Sequence, residues 1–117
     1  MRIALLALSS LAILACSSNS TDPATPPAGD IMIVAGAASK GATAYDPNPK
    51  TVSLATHATV IWGNADGVTH TVTDDGGAFD SGNITGGEGY SHTFVATGTY
   101  TYHCKVHPSM VGTLVVN

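Results

Sequence analysis

The sequence predicts an all-β fold, a Greek-key β-sandwich of about seven to eight strands within residues 30–117. From Asp30 onward, short runs of β-branched and aromatic residues are separated by glycine, asparagine, aspartate and proline, a pattern typical of strands and turns. No segment of this part has the apolar spacing of a long amphipathic helix. About 88 residues suit one small domain, so the sequence predicts a single sandwich.

The predicted strands differ in how clearly they alternate. In the segment 99–104, Tyr100, Tyr102 and Cys104 share one face, which we expect to be the core, whereas His103 points to solvent. A turn is predicted at 63–67, where Gly63-Asn64-Ala65-Asp66-Gly67 breaks the pattern. In chain order, the predicted strands are 31–34, 51–54, 59–62, 68–73, 90–94, 99–104 and 111–116.

Residues 1–29 are not expected to belong to the sandwich. Residues 1–15 have a positive start and an apolar stretch too short to span a bilayer, which predicts a signal peptide. The run Ile13-Leu14-Ala15-Cys16 resembles the bacterial lipobox, which implies a lipoprotein signal peptide and a lipid on Cys16. An ordinary secretory signal is the alternative, and both place the mature chain outside the cytoplasm. Residues 16–29, rich in Ser, Thr and Pro, predict a tether or simply a disordered terminus.

The charge balance excludes two classes of partner. Without residues 1–15, the chain has three lysines against eight acidic residues. It therefore lacks the basic surface needed to bind nucleic acid and has no basic helix for a membrane surface. We expect membrane contact only through a lipid on Cys16, and a monomer in solution.

A cluster of soft ligands near the C-terminus predicts a metal site. Cys104, His107 and Met110 follow one another at intervals of three residues. If Cys16 bears lipid, Cys104 has no disulfide partner, and a lone thiol outside the cytoplasm needs another occupant. Thiolate, imidazole and thioether together favour copper, and a second histidine would complete a blue-copper ligand set. An inert buried thiol is the alternative for Cys104 taken alone.

The second histidine must come from elsewhere in the chain. Spacing alone leaves His57, His70 and His92 open as candidates. Of these, His70 begins a predicted strand directly after a turn rich in glycine, asparagine and aspartate.

Several motifs together resemble the plastocyanin–amicyanin branch of the cupredoxins. They are Trp62-x-Asn64, then His70-Thr-Val, then Gly98-x-Tyr-x-Tyr-x-Cys-x-x-His107. The two-residue gap between His107 and Met110 is similar to that of amicyanin, although Val106 and Ser109 depart from the residues common there. Tyr45-Asp46-Pro47 and Phe79-Asp80-Ser81-Gly82 extend the resemblance over most of residues 30–116.

The resemblance implies one type 1 copper ion, with metal ligands His70, Cys104, His107 and Met110. It also implies that the Thr71 N–H donates to the Cys104 sulfur, and that His107, Pro108 and Val68 form the electron port. The implied function is one-electron transfer between redox proteins outside the cytoplasm, through Cu(I) and Cu(II), with no substrate and no catalytic residues. A copper storage or delivery module is the alternative, since it would use the same ligands.

Overall fold

The structure is a computed structural model that describes residues 28–117, so the predicted signal peptide, Cys16 and most of the predicted tether lie outside the described residues. The regular structure in this part is almost entirely β, apart from two single-turn 3-10 helices at Ala37–Ser39 and Gly41–Thr43, which confirms the predicted fold class. No helix among these residues has the length and apolar character needed to cross a membrane. The eight strands are β1 Ile31–Ile33, β2 Tyr45–Asp46, β3 Lys50–Val52, β4 Thr59–Asn64, β5 Thr73–Asp74, β6 Gly89–Thr93, β7 Gly98–His103 and β8 Val111–Val116.

The strands form two four-stranded sheets, with orders β2-β1-β4-β6 and β3-β8-β7-β5. Two pairings are parallel, β1 with β4 and β3 with β8, and the others are antiparallel. Strands distant in sequence therefore lie side by side. The long antiparallel pair of β7 and β8 runs from Gly98 opposite Val116 to His103 opposite Val111, so the loop joining these strands leaves the sheet at a fixed point.

Three large aromatic side chains fill the centre of the sandwich. Tyr102 is fully buried and packs edge-on against Tyr45 and Trp62, with ring centroids 4.9 and 5.8 Å apart. Because Tyr45 and Trp62 belong to one sheet and Tyr102 to the other, these contacts join the two layers. Cys104 is also fully buried, on the face predicted to form the core.

Two predictions about strand limits were wrong. The segment 68–73 was expected to be a strand, but His70 forms only an isolated bridge with Ile84, and β5 begins at Thr73. The turn predicted at 63–67 starts later, because β4 continues through Asn64, whose pairing partner is Ile33. Asn64 tolerates full burial because its side-chain amide is hydrogen-bonded on both sides, as described below.

Candidate metal centre

Three potential ligand atoms converge beside the loop that joins β7 to β8. The Sγ atom of Cys104 lies 3.8 Å from Nδ1 of His70 and 3.9 Å from Nδ1 of His107, and the two nitrogens are 3.2 Å apart. A point equidistant from all three lies about 2.1 Å from each, close to the 2.0–2.3 Å of metal bonds to imidazole and thiolate. The triangle therefore fits one metal ion, and its donor set suits copper.

The loop between β7 and β8 supplies two corners of this triangle. Its ends are joined because the Cys104 N–H donates to the Met110 carbonyl at 3.1 Å. The Met110 N–H donates in turn to the His107 carbonyl at 2.9 Å. Cys104 and Met110 are fully buried, whereas His107 is partly exposed and Pro108 is exposed. This tight turn brings together the three C-terminal residues that the sequence singled out.

The third corner, His70, lies in the segment between β4 and β5 and is fully buried. Its backbone exchanges two hydrogen bonds with Ile84, at 3.1 and 2.8 Å. Its side chain contacts Asp66 through Nε2, 2.7 Å from Oδ2. This hydrogen bond is the main reason that the pKa of Asp66 lies below its usual value.

Thr71 forms hydrogen bonds to Cys104, Lys105 and Tyr45 through its N–H, hydroxyl and carbonyl groups. Its N–H donates to Sγ of Cys104 at 3.3 Å, and its hydroxyl accepts from the Lys105 N–H at 2.9 Å. Its carbonyl accepts from the Tyr45 hydroxyl at 2.7 Å. Burial raises the pKa of Tyr45 above its usual value, so this hydroxyl stays a neutral donor. Thr71 thus lies where the resemblance expected a donor to the sulfur.

The remaining histidines lie elsewhere. His57 pairs with Asp30 at 2.9 Å, and His103 pairs with Asp75. The ring of His92 packs against two phenylalanines, Phe79 and Phe94, with centroid distances of 5.2 and 4.7 Å. Within residues 28–117, the only group of three or more His, Cys, Asp or Glu side chains arranged to hold one metal ion is His70, Cys104 and His107.

The sequence does not predict the contact of Asp66 with His70. Asp66 was placed in a turn, with no link to the metal ligands. The available signal was its position four residues before His70, but this spacing indicates contact only on a helix, and no helix is predicted here. Val68, expected near the electron port, is about half exposed.

Comparison with known proteins agrees with this geometry. Residues 33–117 match the family described as copper binding proteins of the plastocyanin/azurin family. Amicyanin from Paracoccus denitrificans is 38% identical over 63 residues, which are 50% of this chain and 48% of that protein. The chain thus spans about half the length of this curated relative.

Two solved structures extend the likeness over more of the chain. A purple cupredoxin from Nitrosopumilus maritimus has a TM-score of 0.66 and 29% identity, and the match covers 74% of this chain and 97% of that one. An oxidised methionine-to-leucine variant of amicyanin has a TM-score of 0.61 and 26% identity, covering 82% and 95%. These values extend the likeness to nearly the whole of both neighbours.

Proposed function

Because the chain belongs to the plastocyanin/azurin family of copper-binding proteins, we propose that it is a one-electron carrier and not an enzyme. The proposed ligands of its single type 1 copper ion are His70, Cys104, His107 and Met110. The observation that supports this most directly is the triangle of Sγ and two Nδ1 atoms with sides of 3.2 to 3.9 Å. Copper bound there supplies the one-electron change between Cu(I) and Cu(II).

The protein's own groups account for the rest of the function. Cys104 binds as thiolate, since the thiolate is the metal-binding form of cysteine, and the Thr71 N–H offsets part of its negative charge. The buried His70 and the closed β7–β8 loop would limit how far the ligands move when copper changes its oxidation state. Little rearrangement then accompanies each electron transfer, which favours a fast carrier.

The proposed electron port is the surface around His107. This side chain is the partly exposed corner of the triangle, and exposed Pro108 and half-exposed Val68 lie in the segments that carry the ligands. A partner that docks here would contact a side chain that itself is proposed to hold the copper. Unidentified redox proteins are the proposed donor and acceptor, and the carrier itself is proposed to be a monomer.

The proposed location is outside the cytoplasm, with a lipid on Cys16 and the segment 16–29 as the link to the copper domain 30–117. This rests on the sequence of residues 1–29 alone. Expression of the full chain and of Cys16→Ser in a bacterial host tests it. We expect only the unaltered chain to be found in the membrane fraction, with a mass increased by the lipid, whereas equal membrane content in both would contradict the anchor.

A visible absorption spectrum of the full chain after addition of Cu(II) tests the function itself. We expect an intense thiolate-to-copper band that disappears on reduction and is absent in Cys104→Ser. His57→Gln is the matched control, because His57 is outside the triangle and paired with Asp30. This variant should keep the band.

Two results would contradict electron transfer. A weak or missing band would mean that this ligand set does not form around copper. A normal band with rapid loss of copper to a chelator and no electron exchange with small redox reagents would instead favour the storage or delivery module.

A further inference from the structure

The two histidines of the triangle differ in what lies behind them. The Nε2 atom of His70, on the side of the ring away from Cys104, contacts the Asp66 carboxylate at 2.7 Å. The His70 side chain is 0% exposed and that of Asp66 is 11% exposed. In the part of the chain that the structure describes, no carboxylate lies within hydrogen-bonding distance of His107.

This contact determines where the imidazole proton of His70 resides. A neutral imidazole has one N–H and one lone pair, and an ionised carboxylate can only accept. Next to Asp66, Nε2 must therefore carry the hydrogen. The lone pair is then on Nδ1, the atom that faces Cys104 Sγ at 3.8 Å, as metal binding requires.

The fold fixes the Asp66 carboxylate from several directions. Its other oxygen, Oδ1, accepts a hydrogen bond from the Gly36 N–H at 3.2 Å. The backbone N–H of Asp66 donates to Oδ1 of Asn64 at 2.9 Å. The side-chain amide of Asn64 donates in turn to the carbonyls of Val68 and Ile84. The carboxylate is thus held in place by hydrogen bonds to other parts of the chain.

Pairing of histidine with aspartate is not sufficient to indicate such a role. His57 with Asp30 and His103 with Asp75 are also paired, but neither histidine belongs to the triangle. Only in the pair of His70 with Asp66 does the second ring nitrogen face the ligand triangle. The Asp30 pair therefore serves as an internal control for an ordinary surface interaction.

We propose that Asp66 is a positioning residue for copper, which holds His70 with Nδ1 free and lowers the reduction potential of the site. This inference rests on the proposed function. Outer carboxylates orient metal-bound histidines and increase their basicity, and their loss typically weakens metal binding about 10–100-fold. A buried negative charge near the metal also stabilises Cu(II) more than Cu(I).

The test compares Asp66→Asn, Asp66→Glu and the control Asp30→Asn in the full chain. Affinities for Cu(II) and Cu(I) and the reduction potential are measured by competition and redox titration. We expect Asp66→Asn to weaken Cu(II) binding about 10-fold more than Cu(I) binding, which raises the potential by about 59 mV. Asp66→Glu should keep much of the preference for Cu(II) that Asp66→Asn loses. Asp30→Asn should have the same affinities and reduction potential as the unaltered chain.

A second measurement does not depend on a folded variant or on copper. Nitrogen-15 NMR of the histidines in the metal-free, unaltered protein at mildly alkaline pH reports which nitrogen of His70 carries hydrogen. We expect the proton on Nε2, and a proton on Nδ1 would overturn the proposal. Failure to form a copper site would refute the proposed function but would leave this NMR result readable.

Two outcomes with the variants would also overturn the proposal. In one, Asp66→Asn folds and binds copper with an unchanged potential. In the other, Asp66→Asn weakens the binding of Cu(II) and of Cu(I) by the same factor, which would mean that Asp66 only stabilises its loop.

Discussion

The two sides of the ligand triangle are built in different ways. His70 is fully buried and is held by Ile84, which is distant in sequence, and by the nearby Asp66, which is itself bound to the distant Gly36. The other side is one short loop closed by two local backbone hydrogen bonds, with one further bond from the Lys105 N–H to the Thr71 hydroxyl. Its residues Lys105, Val106, Pro108 and Ser109 are exposed.

This difference separates two requirements of an electron carrier. The buried side can keep the ligand geometry constant, because moving His70 would break several hydrogen bonds at once. The exposed side brings His107 to the surface, where a partner can reach it. A site with both histidines buried would be rigid but out of a partner's reach.

The largest expected effect comes from removing each histidine ring in turn. His70→Gly and His107→Gly should both lose the intense visible band. Added imidazole should restore it only in His107→Gly, because that gap opens to solvent, whereas the His70 position is 0% exposed. The measurement is a titration of each Cu(II)-loaded variant with imidazole, followed by visible absorption.

Equal rescue of both variants would show that the two sides do not differ in accessibility. Far-ultraviolet circular dichroism of both proteins is the control, since a variant that does not fold cannot report on access.

The next effect concerns the support of the buried side. Asn64→Ala removes two donated hydrogen bonds and one accepted one at a fully buried position. We expect a loss of about 2–4 kcal/mol in the free energy of unfolding of the metal-free protein. Ser109→Ala, on the exposed loop, should change it by less than about 0.5 kcal/mol.

Urea unfolding of both variants measures this contrast. Similar losses in Asn64→Ala and Ser109→Ala would mean that stability is not concentrated on the His70 side.

The same contrast explains what the sequence could predict. The loop side can be predicted from the sequence because its three ligands lie within seven residues. Its strand also alternates, which places Tyr102 and Cys104 on the core face. The His70 side depends on contacts between distant residues. The resemblance pointed to His70 itself, but the bridge to Ile84 and the carboxylate of Asp66 follow from tertiary packing that has no local pattern.

The predictions of two strand limits were wrong for a related reason. Gly63 and Asn64 have turn character in sequence, yet they continue β4 because β1 provides a parallel partner and the buried amide finds hydrogen bonds. In 68–73 the β-branched residues suggested a strand, but Val72 donates to a side chain, the Ser81 hydroxyl, at 2.8 Å. Local propensity was overridden in both places by specific partners.

A smaller effect tests how tightly the core is packed around Tyr102. Gly112 lies opposite Tyr102 in the pair of β7 and β8, and a Cβ atom there would overlap the buried Tyr102 ring. Gly112→Ala should therefore destabilise the protein by about 1–3 kcal/mol. Gly67→Ala is the matched control, because a Cβ at Gly67 meets nothing within 4 Å.

Thermal unfolding of the two glycine variants gives the comparison. A stable Gly112→Ala would mean that Tyr102, two residues before Cys104, has more room than its full burial indicates.

The smallest effect concerns the ion pair between Lys105, in the loop that joins β7 to β8, and Asp80. The Lys105 ammonium holds the pKa of Asp80 below its usual value of 3.8, with help from the Gly82 N–H. A depressed carboxyl pKa stabilises the fold above 3.8, and this contribution disappears as the pH falls through the folded-state pKa. Asp80→Asn should therefore be less stable than the unaltered chain at neutral pH, and equally stable in strong acid.

The size of this difference bears on how the loop is held. Both partners are exposed, at 43% and 55%, so solvent screening should limit the neutral-pH difference to less than about 1 kcal/mol and added salt should reduce it further. Urea unfolding at several pH values measures it. If the two backbone bonds at Cys104 and Met110 close the loop, the copper band of Asp80→Asn should be unchanged. A shifted band would mean that the ligand geometry of the exposed side also relies on the contact of Lys105 with Asp80, which would weaken the contrast with His70.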